Sequence, residues 1–179
     1  MSKKGSPDAL GFRIVEDLEE AAPWKRGIVV LLLLVVLLCL LLPELVFQDK
    51  IFLVPDTRAP ISFASVGRES LEKGVYPLWN PYLFCGMPSF GSLAYAPYVY
   101  PVSFITHLLY TYLHFPEMTW LLAHYLLAGV AMYLLLRSLG IRAVVSLIGG
   151  ALFMLLPNYI AMGANGHGSQ VCAIAYMPL

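Results

Sequence analysis

Charge is the scarcest property of this sequence. Only 12% of its 179 residues are Asp, Glu, Lys or Arg, and 59% are hydrophobic. Soluble domains are roughly a quarter charged. Mean hydropathy is +0.75. An ordinary water-soluble domain is excluded, and the chain falls in the membrane class. Its net charge is zero. Nucleic acid calls for a basic patch, so no nucleic-acid partner is expected. Cysteine is equally sparse. Cys39, Cys85 and Cys172 show no CxxC spacing, which leaves zinc and redox motifs without ligands. Cys39 sits in an apolar run and reads as a small buried hydrophobe. Cys85 and Cys172 have no framework that argues for a disulfide between them. P-loop, GxSxG and HExxH motifs are missing, so ATP-driven transport and metalloprotease chemistry have no support. No internal repeat is present.

What the sequence has in abundance is long apolar runs. Residues 1–26 are polar, with five Lys/Arg and five Asp/Glu, and read as a cytoplasmic tail. Phe12, Val15 and Leu18 have helical spacing, which suits a helix lying on the membrane surface. Residues 27–47 are expected to form the first transmembrane helix. Twenty-one residues at 1.5 Å each give roughly 30 Å, the thickness of the hydrocarbon core. Lys25 and Arg26 precede it and favour a cytoplasmic N-terminus. A cleaved signal peptide is disfavoured by the long polar start and the lack of an A-x-A-like site.

Residues 48–118 are expected to be a large extracytoplasmic loop. Pro60 opens and Gly74 closes a window that predicts a short amphipathic helix over 60–73. Lys73 in its last turn suits the helix dipole. Arg68, Glu69 and Glu72 would face water. The stretch Tyr76 to Pro81 cannot be regular helix, because each residue before a proline is pushed toward extended geometry. Trp79, Tyr82, Tyr95, Tyr98 and Tyr100 resemble an interfacial aromatic belt. Residues 92–115 are apolar, but Pro97 and Pro101 break their first half. If they spanned, Arg137 and Arg142 would fall outside. The positive-inside tendency therefore favours an interfacial or re-entrant segment.

A second span is expected at 119–137, a cytoplasmic turn at 138–142 and a third span at 143–162. Gly149 and Gly150 would let helices approach closely, and Pro157 would kink or end the third span. An outer loop at 163–170 and the start of a further apolar segment at 171–179 follow. Because the chain stops within that segment, it is expected to be the N-terminal part of a longer membrane protein. The fold class is all-α, a polytopic transmembrane helical protein.

The stretch Pro77-Leu78-Trp79-Asn80-Pro81, followed by Gly86-Met87-Pro88, resembles the YfhO-type bacterial integral membrane proteins. These are similar to the GT-C class of polytopic glycosyltransferases. Further matching stretches are the loop aspartate Asp56, the helix end Met132 to Gly140, and Asn165-Gly166-His167 leading into Ala173 to Leu179. Together they cover about residues 27–179. Cys85 stands where such proteins commonly have glycine, and Asp56 has no adjacent acid, so a divalent metal is unsupported and no cofactor is expected. The resemblance implies a GT-C-like fold in the lipid bilayer. It also implies a polyprenyl-phosphate-linked sugar donor and a cell-envelope glycan or lipid acceptor.

Such a transfer needs a base for the acceptor hydroxyl. A carboxylate at the membrane edge can serve, which makes Asp56 the catalytic candidate. The competing reading is a loop aspartate paired with Arg58. Arg58 would bind the lipid-linked phosphate, since guanidinium suits phosphate bidentately; a solvated arginine is the alternative. His167, on the same expected side, could contact phosphate or sugar, or simply sit in a turn. Trp79 and Asn80 are the remaining substrate-binding candidates, with Trp79 stacking on a sugar or serving as a belt anchor. Glu69 and Glu72 read as the wet face of the short helix. His124, inside the second span, is expected to face the bundle and hydrogen-bond a partner. His107 and His114 read as interfacial, and Glu117 suits a helix N-terminus. A reading from another class stays open: a non-catalytic polytopic protein serving lipid or polysaccharide transport, or a scaffold.

Overall fold

The computed structural model describes residue 16 and residues 18–53, 65–82, 84–89 and 100–179. Asp56, Arg58, Tyr95 and Tyr98 lie outside them. The described chain is about 70% helical, with almost no sheet. Among the described residues, three helices are long and apolar enough to cross a membrane.

Helix α1 (Pro23–Leu41) has 19 residues, or roughly 28 Å at 1.5 Å per residue. Pro23 suits its first turn, where a missing N–H costs nothing. Val30, Leu34 and Leu38 are buried at a spacing of four, while Leu32, Val36 and Leu40 are exposed. The expected single helix over 27–47 is corrected here. At Leu42 the backbone turns out (φ −125°, ψ 49°) and a separate helix α2 (Pro43–Phe47) begins. Pro43 supplies no N–H and pushes Leu42 away from helical geometry.

Residues 65–72 form helix α3 within the window expected for the short amphipathic helix. Its end is a Schellman motif. Gly74 has φ 72°, its N–H bonds Leu71 O at 2.9 Å, and Val75 N–H bonds Ser70 O at 2.9 Å. Glycine takes this left-handed position without a Cβ penalty. Arg68, Glu69 and Glu72 are exposed as expected, but so is Leu71. Lys73 pairs with Glu69 at 2.6 Å, an exposed pair worth little.

The Trp-Asn-Pro stretch builds a small hairpin. Strand β1 (Trp79–Asn80) pairs antiparallel with β2 (Met87–Pro88), Trp79 opposite Pro88 and Asn80 opposite Met87. Ser89 locks its base, donating from N–H to Leu78 O at 2.9 Å and from Oγ to Pro77 O at 2.7 Å. Phe84 (φ 49°), Cys85 (φ 59°) and Gly86 (φ 114°) turn the loop. Cys85 thus occupies a left-handed position that glycine would fill without strain.

Helix α4 (Pro101–Leu113) has 13 residues. At roughly 20 Å it is shorter than the hydrocarbon core. It ends at His114 in the left-handed conformation. Helix α5 (Thr119–Ser138) is the centre of the packing, buried along Leu121, His124, Tyr125, Ala128 and Gly129. Helix α6 (Ala143–Met154) packs closest against it. A Cβ on Gly150 would lie 2.6 Å from Gly129 O, so backbone meets backbone at this crossing. Association inside lipid depends on such close packing rather than on the hydrophobic effect.

The third long segment bends at Leu155–Leu156 and continues as α7 (Pro157–Ala164). The expected outer loop at 163–170 is shorter than that. Asn165 and Gly166 turn, and helix α8 (Gly168–Tyr176) starts almost at once. Tyr159 on α7 ties this region together. Its buried hydroxyl lies 3.0 Å from Val171 O and 3.3 Å from His124 O.

The two ends of the bundle are distinct. At one, Glu19 meets the α5–α6 turn. Its carboxylate accepts from Arg137 Nη1 at 2.8 Å and from Ala143 N–H at 2.6 Å, with Arg26 3.7 Å away. At the other, Asp49 Oδ1 accepts from Glu117 N–H at 2.9 Å. The chain between residues 49 and 117 therefore leaves and returns at one end.

Candidate functional site

Polar side chains gather at the Asp49–Glu117 end. Helix α4 supplies them in a pattern its average apolarity conceals. At 100° per residue, Ser103, Thr106, His107 and Tyr110 share one arc, while Phe104, Ile105, Leu108 and Tyr112 share the opposite one. The apolar arc is exposed. The polar arc faces a cavity of about 210 Å³, lined by Ser103, Thr106, His107, Tyr110, Glu117 and Trp120. Thr106 is buried and its hydroxyl is engaged by its own helix, 3.0 Å from Val102 O and 3.2 Å from Ser103 O. Its oxygen lone pairs remain to accept. Glu117 contributes a carboxylate from the turn before α5.

Trp120 separates this cavity from a hydrogen-bonded chain behind it. His124 is fully buried. Its Nδ1 lies 2.6 Å from Trp120 O, and its Nε2 lies 2.6 Å from the Tyr100 hydroxyl. A carbonyl oxygen only accepts, so Nδ1 carries a proton. In the neutral ring Nε2 then accepts from Tyr100. The Tyr176 hydroxyl stands 2.9 Å from that of Tyr100. Burial, and then the Tyr176 bond, push the Tyr100 hydroxyl well above its usual range, so it stays protonated. The rings stack as well: Tyr100 and His124 centroids are 5.5 Å apart, and Trp120 meets His124 edge-on at 6.1 Å. Tyr100 thus belongs to this hydrogen-bonded chain. His124 has the buried hydrogen-bond partner expected of a polar residue at that depth.

The candidates named from sequence separate. Asp56 and Arg58 lie outside the described residues. Asn80 is 1% exposed, and its Oδ1 accepts from Tyr82 N–H at 3.0 Å. It shapes the hairpin turn, as Asn side chains do. Trp79 is 54% exposed, and its indole covers the space a side chain on Gly86 would need. His167 caps α8: its carbonyl accepts from Gln170 and Val171 N–H at 3.1 Å each. Among the described residues no three His, Cys, Asp or Glu side chains come together as metal ligands, and all three cysteines are free.

No family model, curated protein or solved structure matches the chain.

The cavity was not legible as a unit. Glu117 and His107 stood out individually, but nothing local linked them to Trp120. The 3.6-residue polar stripe on α4 was the signal that could have found it.

Proposed function

We propose that this chain is a GT-C-like membrane protein transferring a sugar from a polyprenyl-phosphate donor to a cell-envelope glycan or lipid. The supporting observation is the convergence of polar groups at one end of the long apolar helices. There Asp49, seven residues before Asp56 in sequence, accepts from the backbone of Glu117, which also lines the cavity. In this reading Asp56 takes the acceptor's proton, Arg58 holds the phosphate and His167 assists. The protein lies in the cell membrane. The opposite end gathers Arg26 and Arg137 around Glu19, and under the positive-inside tendency that end is cytoplasmic. The 48–118 region is then extracytoplasmic.

The non-catalytic reading draws on one observation. Asn80, in the most distinctive stretch of the sequence, is buried and used by its own turn, as a scaffold would use it. Asp56→Asn separates the two. The expected result is loss of glycan output from a variant that expresses and inserts normally; full output would remove the base assignment.

A further inference from the structure

We infer that the α4–α5 cavity binds the uncharged, hydroxyl-rich headgroup of a membrane lipid, a single sugar ring, with no phosphate inside the cavity. The inference deepens the proposed function by naming what this site holds. It rests on that reading only for the membrane location and not for catalysis.

Position comes first. Helix α4 is too short to span, and its exposed arc of Phe104, Ile105, Leu108 and Tyr112 is apolar. Such a helix lies in the interface, its apolar arc in the acyl boundary and its polar arc at headgroup depth. The polar arc is the one that lines the cavity. A ligand there is at the level of lipid headgroups.

Chemistry comes second. Among the described residues, the six that line the cavity include no Lys or Arg; Glu117 brings a carboxylate and His107 an imidazole. A phosphate placed among them would meet the Glu117 carboxylate, with His107 the one described lining residue able to take a positive charge and no permanently charged Lys or Arg among them. The lining mixes acceptors (the Glu117 carboxylate and the Thr106 oxygen) with hydroxyls on Ser103 and Tyr110 that donate and accept. A sugar presents the same mixture. Trp120 and Tyr110 add aromatic surface for the apolar C–H face of a ring, and Glu117 accepts from its hydroxyls with charge-assisted strength.

Size comes third. At about 210 Å³ the cavity is below the roughly 300–1,000 Å³ of drug-sized pockets. It is an open depression, in which one ring can sit while the lipid chain stays outside.

The test uses the full chain in lipid nanodiscs, with Trp24→Phe and Trp79→Phe so that Trp120 is the sole tryptophan. A monohexosyl diacylglycerol is titrated in and Trp120 emission is followed. The expected result is a saturable change that sugar-free diacylglycerol does not produce. In that background Glu117→Gln raises the half-saturating mole fraction about tenfold, and Tyr110→Phe about threefold. No change in emission, an equal change from sugar-free diacylglycerol, or an equal change from phosphatidylcholine overturns the assignment. Asp56→Asn distinguishes this failure from that of the proposed function. Sugar binding with glycan output unaffected by Asp56→Asn leaves the site standing and removes the transferase. Lost output with a silent Trp120 does the reverse.

Discussion

Replacing Gly150 with alanine puts a methyl group where the structure has none to spare. The new Cβ would sit 2.6 Å from Gly129 O and 3.4 Å from Tyr133 Cβ. The first neighbour is backbone on a packed helix and cannot rotate away. Helices α5 and α6 must separate, and the dispersion contacts along their whole crossing weaken with distance. Overpacking of this kind costs about 1–3 kcal/mol. Two other glycines calibrate the argument. At Gly149 the added methyl meets only the Leu136 side chain, chiefly its terminal Cδ1, which can swing to another rotamer, so the cost should stay below about 1 kcal/mol. At Gly27 nothing lies within 4 Å, and alanine's better helix propensity should stabilise by up to about 1 kcal/mol. The assay is reversible unfolding in mixed micelles titrated with SDS, followed by circular dichroism. The expected order of stability is Gly27→Ala, then wild type, then Gly149→Ala, then Gly150→Ala. A Gly150→Ala protein as stable as wild type would refute the close backbone crossing. Equal losses at 149 and 150 would refute the distinction between backbone and side-chain neighbours.

Three more perturbations have expected outcomes. Glu19→Gln should loosen the tail from the α5–α6 turn, seen as faster proteolysis within residues 16–26. Acid should act likewise. The Ala143 N–H bond, then Arg137 and Arg26, hold the Glu19 carboxylate below its ordinary 4.5. A lowered folded-state pKa gives stabilisation that is full above the ordinary value and lost as pH falls through the lowered one; unchanged cleavage from pH 7 to 3 would contradict this. Tyr100→Phe strips His124 Nε2 of its donor and should cost about 1–3 kcal/mol in the same SDS titration, with no loss counting against the buried chain. Asn80→Ala removes the bond to Tyr82 N–H, worth about 1 kcal/mol, and should speed amide exchange at Tyr82, whereas unaltered exchange would show that the turn does not depend on it.

Features written in consecutive residues were legible. The apolar runs marked three long helices, Gly74 marked the end of α3, and Pro157 marked the bend before α7. Pro43 was missed because an averaged apolar window is blind to one absent N–H. Leu40, Leu41 and Leu42 look like unbroken helix until φ and ψ at Leu42 are considered. Contacts between distant residues were not legible at all. Glu19 lies 124 residues from Ala143, and a polar tail gives no sign of which acid will cap which helix. The cavity falls between these cases. Its α4 wall follows from helical period, but Trp120 and Glu117 join it only through the docking of α4 on α5. Asn80, distinctive in sequence, is buried in the structure with its Oδ1 engaged by its own turn.

The bond between Asp49 and Glu117 makes the segment between them a closed ring hung from the helix bundle, 68 residues around. For such a ring the entropy of closure grows only with the logarithm of its length, so doubling the ring costs about 0.6 kcal/mol. The frame that holds α1 against α5 is thus nearly indifferent to the length of the ring before Tyr100, where the chain docks on α5. Asp56, α3 and the Trp79–Pro88 hairpin can be lengthened, shortened or exchanged with little penalty to the helices beneath. Whatever this protein selects outside the bundle can change while the bundle stays the same.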